Sequence, residues 1–330
     1  MHAIRLHAFG PAENLRYEIV PDPVPGPGEV RIAVAAAGVH LVDTALRKGE
    51  PGPFPLPQLP TIPGREVAGT VDRVGADVDA GLLGAQVVAH LGPVPGGYAE
   101  FAVTDAARLH EIPANLDAAE AVAMIGTGRT TMGILQFTEL KPGSVVLVTA
   151  AAGGIGTLLV QFAKNAGATV IGLAGGPAKV DQVRHNGADL AVDYLLPDWP
   201  DRVRVRIGDR GAHVLFDSVG GAVARAGIDL LAPGGQHLIY GWSGTSNNEG
   251  PVRLSAAELT ERGITSETVI GPPMLARAGG DLRVLENLAM AEAIAGRLRP
   301  GIQRFALADA AVAHRALETR GTTGKVVLEP

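Results

Sequence analysis

The chain has 330 residues, 46% of them hydrophobic and 19% charged, so it can bury a sizeable core and is long enough for two domains. Its formal net charge of −6 disfavours a nucleic-acid-binding protein, which usually carries a basic patch. It contains no cysteine, which excludes disulfides, thiolate metal sites and a cysteine nucleophile.

The start of the chain and its hydropathy bear on location. Residues 1–5 (MHAIR) open no apolar run of signal-peptide length. No stretch reaches the roughly 18 consecutive apolar residues that a membrane-spanning helix needs. We therefore expect a cytoplasmic protein with neither a membrane nor a nucleic acid as partner.

Prolines punctuate the first 60 residues, recurring at every second position over 21–27 and again over 51–57. This spacing forbids a helix and favours extended or loop structure. Alternating or apolar runs between glycines predict strands at residues 29–34, 67–74 and 87–90. Residues 1–122 are therefore expected to form a β-rich domain.

From residue 123 to 265, strand-like apolar runs alternate with helical patterns. The predicted strands are 145–148, 169–173, 191–192, 213–216 and 237–240, and the predicted helices are 156–166, 178–186 and 222–231. Such alternation predicts a parallel sheet with helices on both faces.

The tail has helical patterns at 282–296 and 308–319, followed by a strand-like run at 325–328. A lone strand with helices cannot form a domain, so residues 266–330 are expected to rejoin the first domain. The run 264–270 (ITSETVI) is rich in β-branched residues and is expected to form an edge strand of the second domain's sheet. Exposed edges tend to pair with another chain, which predicts a homodimer.

The strongest local signal is a glycine-rich turn at residues 149–156, between a predicted strand and a predicted helix. Such turns let backbone N–H groups approach a pyrophosphate, and the helix N-terminus adds partial positive charge. Gly153 would admit the phosphate and Gly156 would permit close helix packing, while Ala151 occupies the usual first glycine position. The context predicts dinucleotide binding, with an ordinary tight turn as the alternative.

Residues further along the chain indicate which dinucleotide, NADH or NADPH, the turn would bind. NAD-selective enzymes place a carboxylate about 20 positions after the turn, where it holds the ribose 2′-hydroxyl. Here those positions are Ala174 and Gly175, and the next carboxylate, Asp181, lies inside a predicted helix. Small residues leave room for a 2′-phosphate that Lys179 could neutralise, so we expect NADPH.

These motifs carry a family resemblance that runs essentially end to end. Residues 150–156 (AAAGGIG) resemble the A-A-A-G-G-V-G turn of zinc-independent quinone oxidoreductases. Residues 63–71 (PGREVAGTV) resemble the P-G-x-E-x-x-G-x-V segment of the wider medium-chain dehydrogenase/reductase superfamily. Two later signatures match at 217–221 (DSVGG) and 321–328 (GTTGKVVL).

The resemblance implies an α/β fold. A GroES-like β-rich catalytic domain would take residues 1–122 and 266–330, and a Rossmann domain with a doubly wound parallel sheet would be inserted at 123–265. The active site would lie in the cleft between the two domains.

Two positions depart from the zinc-dependent members. Those enzymes use a cysteine in G-x-C-x-x-D and a histidine in G-H-E, whereas this chain has His40 and Arg65 at these positions. A cation at Arg65 would repel Zn²⁺, and catalytic zinc usually needs three protein ligands. The four-cysteine structural zinc lobe is also absent, so we expect no metal site.

The resemblance implies three catalytic residues. His40 would lie near the nicotinamide, or else be a hydrogen-bonded core histidine; the quinone oxidoreductases carry asparagine there. Asp43 would orient a ribose or His40, with a helix N-terminal carboxylate as the alternative. Thr130 would lie near the nicotinamide, or else serve as a helix-terminus hydroxyl. Ala45 replaces a family tyrosine.

The predicted cofactor-binding residues surround the turn, the carboxyl edge of the sheet and the expected 2′-phosphate. They are Ala152, Gly153, Gly154, Ile155, Gly156, Gly175, Lys179, Tyr194, Ser218, Val219, Tyr240, Gly241, Ser243 and Arg320. Tyr194 and Arg320 match family positions at the 2′-phosphate, although a surface ion pair remains an alternative for Arg320.

The resemblance implies a zinc-free, NADPH-dependent oxidoreductase that transfers hydride to a quinone or conjugated carbonyl acceptor. One alternative is an enoyl or 2-alkenal double-bond reductase, which uses the same cofactor on a different acceptor. A second is an NADPH-binding protein with little catalysis, because some relatives serve structural or RNA-binding roles.

Overall fold

The computed structural model describes residues 1–50, 55–92, 95–244 and 250–330. The strands are β1 (His2–Leu6), β2 (Leu15–Ile19), β3 (Glu29–Val39), β4 (Glu66–Val74), β5 (Gln86–His90), β6 (Phe101–Asp105), β7 (His110–Glu111), β8 (Val145–Val148), β9 (Thr169–Ala174), β10 (Leu190–Asp193), β11 (Ala212–Asp217), β12 (Leu231–Ile239), β13 (Thr265–Thr268), β14 (Ile302–Ala306) and β15 (Lys325–Glu329).

The α-helices are α1 (Leu41–Lys48), α2 (Ala118–Ala123), α3 (Arg129–Leu135), α4 (Gly154–Asn165), α5 (Pro177–His185), α6 (Trp199–Ile207), α7 (Gly221–Ile228), α8 (Ala256–Arg262), α9 (Pro272–Arg277), α10 (Arg283–Ile294) and α11 (Ala310–Glu318). A π-helical turn, Met124–Gly128, joins α2 to α3. Among the residues that the structure describes, no helix is long and apolar enough to cross a membrane.

The chain forms two compact units, one made of residues 1–128 and 300–330 and the other of residues 129–299. The sequence placed the return to the first domain at residue 266, and the structure corrects this to residue 300. Strand β13 pairs with β12 in the second unit's sheet. Helix α10 packs on α3, where a side chain added at Gly133 would meet Leu285 at 3.2 Å.

The first unit is built on a seven-stranded sheet in the order β14-β15-β3-β4-β5-β7, with β6 also paired to β3. Strand β3 has eleven residues and extends past the predicted end at residue 34. Its second half is small and almost wholly buried, so the alternation of polar and apolar residues that marks a half-buried strand is lost there. This extension delivers the chain directly to His40.

The second unit contains a six-stranded, all-parallel sheet in the order β10-β9-β8-β11-β12-β13. This is the order 3-2-1-4-5-6 of a dinucleotide-binding Rossmann sheet, and the predicted alternation of strands and helices is confirmed. The order reverses between β8 and β11, whose carboxyl ends define the crevice where ligands bind in such sheets. All four residues of β8 are fully buried, as expected for a central parallel strand.

Candidate active site and cofactor site

The glycine-rich turn leaves β8 and enters α4 in the predicted way. Ala150 adopts a φ of 46°, in the left-handed region that alanine rarely occupies. The Gly153 N–H donates to the Ala150 carbonyl at 2.9 Å, and α4 begins at Gly154. The first N–H groups of a helix have no acceptor within it, so this turn presents donors to an anion.

The two outer glycines of the turn differ in how much space the structure leaves beside them. A side chain at Gly156 would overlap the Ala150 carbonyl oxygen and lie 2.7 Å from the Ala151 Cα, so only glycine lets α4 pack this closely. A side chain at Gly153 would meet only the Ala150 oxygen, at 3.3 Å. The turn is therefore closed on its inner side at Gly156, and its residues fit a dinucleotide pyrophosphate.

Predicted cofactor residues that follow β11 and β12 converge at the same switch point. The Ser243 hydroxyl donates to the Ser218 carbonyl at 3.0 Å, and a side chain at Gly241 would touch Ser218. The Tyr240 hydroxyl donates to the Thr149 carbonyl at 3.3 Å, and burial raises the pKa of Tyr240. Tyr240 therefore stays neutral and stabilises the start of the turn by donating this hydrogen bond.

The sequence did not single out the side chains that hold this crevice together. The Thr149 hydroxyl donates to the buried carboxylate of Asp217 at 3.2 Å. The same carboxylate oxygen accepts the backbone N–H groups of Val219 and Gly220 at 3.0 and 3.1 Å. Asp217 heads the quoted motif at 217–221, and a lone carboxylate ending an apolar strand was the available signal.

At the expected ribose end, Gly175 and Tyr194 lie together. A side chain added at Gly175 would meet the Tyr194 ring and hydroxyl at 3.3 Å, and Lys179 lies half-buried in the first turn of α5. The structure also places Asp193, which the sequence missed, beside them: its carboxylate accepts the Gly176 N–H at 3.0 Å. Arg320 belongs to the first unit, where it is exposed with a φ of 56°.

His40 lies between β3 and α1, in contact with two buried charged residues from neighbouring strands. Its Nε2 is 2.5 Å from the Glu66 Oε1 and 2.7 Å from the Lys325 Nζ. Lys325 also donates to the Glu66 Oε2 at 2.9 Å. The Glu66 and Lys325 side chains are 1% and 3% exposed, whereas His40 is 31% exposed, so the imidazole joins a buried ion pair to the surface of the unit.

The charge state of Glu66 follows from these contacts. Burial by itself would raise the pKa of Glu66, but the charges of His40 and Lys325 and the hydrogen bond from His40 outweigh it. The pKa of Glu66 therefore lies well below its usual value. The carboxylate is ionised at neutral pH and can only accept hydrogen bonds.

Asp43 occupies the helix N-terminal position that the sequence left open as its alternative role. Its Oδ2 accepts the His40 backbone N–H at 2.8 Å and the Tyr98 hydroxyl at 3.1 Å. The carboxylate is buried and stabilises the start of α1, where His40 is the N-cap residue. Contact with a ribose remains a prediction.

Thr130 is half-buried in the first turn of α3, in the second unit. Its place at the nicotinamide stays a prediction. Arg65 precedes Glu66 at the second zinc-ligand position of the zinc-dependent enzymes. Within the described ranges, no group of three or more His, Asp or Glu side chains is placed to hold a metal ion.

A buried histidine behind this site makes an acid-stability prediction. Burial lowers the pKa of His314 from 6.5 to about 4, and its Nε2 is 3.4 Å from the Tyr98 hydroxyl. Between pH 6.5 and 4, His314 therefore binds a proton in the unfolded chain but not in the folded chain. The free energy of unfolding should fall by roughly 3 kcal/mol as the pH is lowered through this range.

Urea unfolding from pH 7 to 4 measures this effect. His314→Phe should make unfolding less pH-dependent than in the unmutated protein, while the exposed control His185→Phe should not. Parallel pH profiles for the His314 variant and the unmutated chain would contradict the prediction.

Comparisons with known proteins agree with this geometry. Residues 26–114 match the alcohol dehydrogenase GroES-like domain, and residues 154–276 match the family described as zinc-binding dehydrogenase. A quinone oxidoreductase of Pseudomonas aeruginosa is 34% identical, with 99% of each chain covered. A 2-haloacrylate reductase of a Burkholderia species is 31% identical, with 98% of each chain covered.

A solved structure shows the same fold. The crystal structure of Escherichia coli quinone oxidoreductase complexed with NADPH superposes with a TM-score of 0.84, at 27% identity and with all of both chains covered. The GroES-like and Rossmann fold expected from the sequence is confirmed. The chain belongs to the quinone oxidoreductases of the medium-chain dehydrogenase/reductase superfamily, and it is a quinone oxidoreductase-like enzyme.

Proposed function

We propose that the protein is an NADPH-dependent reductase that transfers hydride to a quinone or a conjugated carbonyl compound without a metal. The observation that carries the proposal is the turn at residues 150–156, a pyrophosphate cradle at the switch point of a Rossmann sheet. Full-length similarity to proteins named quinone oxidoreductase supports the acceptor class.

When bound, NADPH supplies the hydride. The N-terminus of α4 would hold the pyrophosphate, and Lys179, Tyr194 and Arg320 would hold the 2′-phosphate. Without a metal, catalysis has to come mainly from holding donor and acceptor in register. His40, the partly exposed end of the ion-pair cluster, would exchange the proton that the reduced acceptor takes up.

The second candidate is a double-bond reductase, and the 2-haloacrylate reductase among the relatives is the observation that favours it. NADPH oxidation with 9,10-phenanthrenequinone, 2-alkenals and 2-chloroacrylate as alternative acceptors separates the two. Faster turnover of the quinone supports the proposal, and turnover of the alkenes alone replaces it. Tight NADPH binding without turnover of any acceptor would instead support the third hypothesis, an NADPH-binding protein with little catalysis.

Metal independence makes a direct prediction. Because His40 is engaged by Glu66 and Lys325, and Arg65 occupies the second ligand position, the purified protein should carry no stoichiometric zinc. Activity should survive prolonged treatment with a chelator. Metal analysis by mass spectrometry checks this, and one zinc per chain whose removal abolishes activity would refute it.

The edge strand β13 supports the predicted homodimer. It ends the order of the second unit's sheet, and the His237 ring holds it through the Ser266 hydroxyl at 2.9 Å. Thr265 and Glu267 are exposed along it. Size exclusion with light scattering should give twice the chain mass of 33.9 kDa. The mass of a single chain at micromolar concentration would count against pairing along this edge.

A further inference from the structure

The buried ion pair beside His40 closes on a single atom of the imidazole ring. Glu66 and Lys325 are 259 positions apart in the chain, yet both reach the same atom, the His40 Nε2. They come from β4 and β15, which flank the end of β3 on its two sides. A buried ion pair that closes on one ring nitrogen restricts both the orientation of the ring and its protonation.

The Glu66 carboxylate packs directly against the backbone of two glycines. A side chain at Gly126, in the π-helical turn, would overlap the Glu66 Oε1, and one at Gly38 would overlap the Oε2. The same added atom at Gly38 would lie 3.0 Å from the Lys325 Cε. Two glycines therefore enclose the pair, one in β3 and one in a π-helical turn, an element that is rare and concentrated at functional sites.

The two partners of the His40 Nε2 make opposite demands. An ionised carboxylate only accepts, so the 2.5 Å contact with Glu66 requires a hydrogen on Nε2. An ammonium only donates, so the Lys325 contact at 2.7 Å would be satisfied by a bare Nε2. The negative charge of Glu66 favours the imidazolium, and the positive charge of Lys325 opposes it.

We propose that Glu66 and Lys325 are positioning residues for His40: the carboxylate fixes the ring as its Nε2–H form and stabilises its protonated state, and the ammonium limits that stabilisation. The two charges act on the same ring nitrogen in opposite directions, so each limits the effect of the other on the imidazole. This inference rests on the proposed function in one respect only: that the proton exchanged at His40 is the one the reduced acceptor takes up.

Other charged groups near the ring do not replace this pair. Asp43, on α1, binds the His40 backbone N–H and the Tyr98 hydroxyl. His90, at the end of β5, acts on Glu66 and further lowers the pKa of that carboxyl. Arg65 acts on Tyr98, whose pKa burial and Asp43 hold well above its usual value. The two side chains within hydrogen-bond distance of the Nε2 in these contacts are Glu66 and Lys325.

The test follows the titration of His40 by NMR in the full-length protein with ¹⁵N-labelled histidine, assigned with His40→Asn. Lys325→Met leaves Glu66 facing the ring alone and should raise the pH midpoint by at least about one unit. Glu66→Gln leaves Lys325 and should lower it by a similar amount. Lys164→Met, which breaks the distant pair with Asp189, should shift nothing.

Opposite shifts support the proposal, because a merely structural pair would move the midpoint in neither direction or in one direction for both variants. Either of those results overturns it.

Breaking a buried pair is destabilising and could unfold a single variant. The double variant Glu66→Gln/Lys325→Met removes both charges together; it should lose the fixed Nε2–H signal, and an unchanged ¹⁵N spectrum at pH 8 would also overturn the proposal. None of these readouts requires turnover, so an inactive protein would count against the proposed function alone.

Discussion

His40→Ala should lower turnover by about 10²–10⁴-fold while leaving the NADPH dissociation constant nearly unchanged, because a general acid typically contributes that much to rate. The ring is the exposed end of the Glu66–Lys325 cluster in the first unit. The glycine-rich turn that would hold the pyrophosphate belongs to the second unit, so the substitution removes none of its donors. Stopped-flow turnover and fluorescence titration with NADPH measure the two effects separately.

His40→Asn is the matched variant for this prediction. Asparagine is the residue that the resemblance places here in other quinone oxidoreductases, and it keeps a polar side chain without a titrating proton. If proton exchange matters, alanine and asparagine should both lose rate and both flatten the pH profile. Full turnover of the alanine variant across pH 5–8 would mean that His40 only lines the active site and does not exchange a proton.

The pyrophosphate turn could be predicted because its signal is local. The strand, the glycines at 153 and 156 and the helix follow one another, and each is fixed by backbone sterics that one segment contains. The alternating strands and helices of the second unit are likewise set by periodicity over short windows. The strand–turn–helix arrangement and the alternation of strands and helices are both confirmed in the structure.

The Glu66–Lys325 pair could not be predicted in the same way. Both residues lie in motifs that the sequence analysis quoted, but nothing local shows that β15 returns beside β3 and brings Lys325 onto Glu66. A charged residue inside an apolar run was the signal in each case. The boundary at 265 was wrong for a related reason. The run at 264–270 was expected in the second unit's sheet, and it pairs there with β12, but only the packing of α9 and α10 on α3 assigns the helices after it to that unit.

Asp193 shows a similar limit at the ribose end. The carboxylate of NAD-selective enzymes lies about 20 positions after the turn, whereas Asp193 ends β10, the next strand along, and accepts the Gly176 N–H. The Asp193 carboxylate also accepts the Leu195 N–H at 3.0 Å. Because two backbone donors occupy the same oxygen, the carboxylate serves to shape the loops around Gly176 and Tyr194.

Lys179→Ala should raise the NADPH Michaelis constant at least about tenfold and leave that for NADH nearly unchanged. One charge-assisted hydrogen bond is worth roughly 1.5–3 kcal/mol, or about 10–150-fold in affinity. Lys179 lies in the first turn of α5, after Gly176, and Tyr194 packs beside Gly175. Ala174 and Gly175 contribute no side-chain carboxylate to repel a 2′-phosphate.

Steady-state kinetics with both cofactors at a fixed quinone concentration provide the measurement. Lys164→Ala is the control, because this lysine pairs with Asp189 in the same unit, and its loss should change neither Michaelis constant. An unaffected Lys179→Ala would transfer the preference to Tyr194 and Arg320, of which Arg320 could clamp the phosphate bidentately. Equal use of NADPH and NADH by the unmutated protein would remove the preference altogether, since the small residues after β9 would then select neither cofactor.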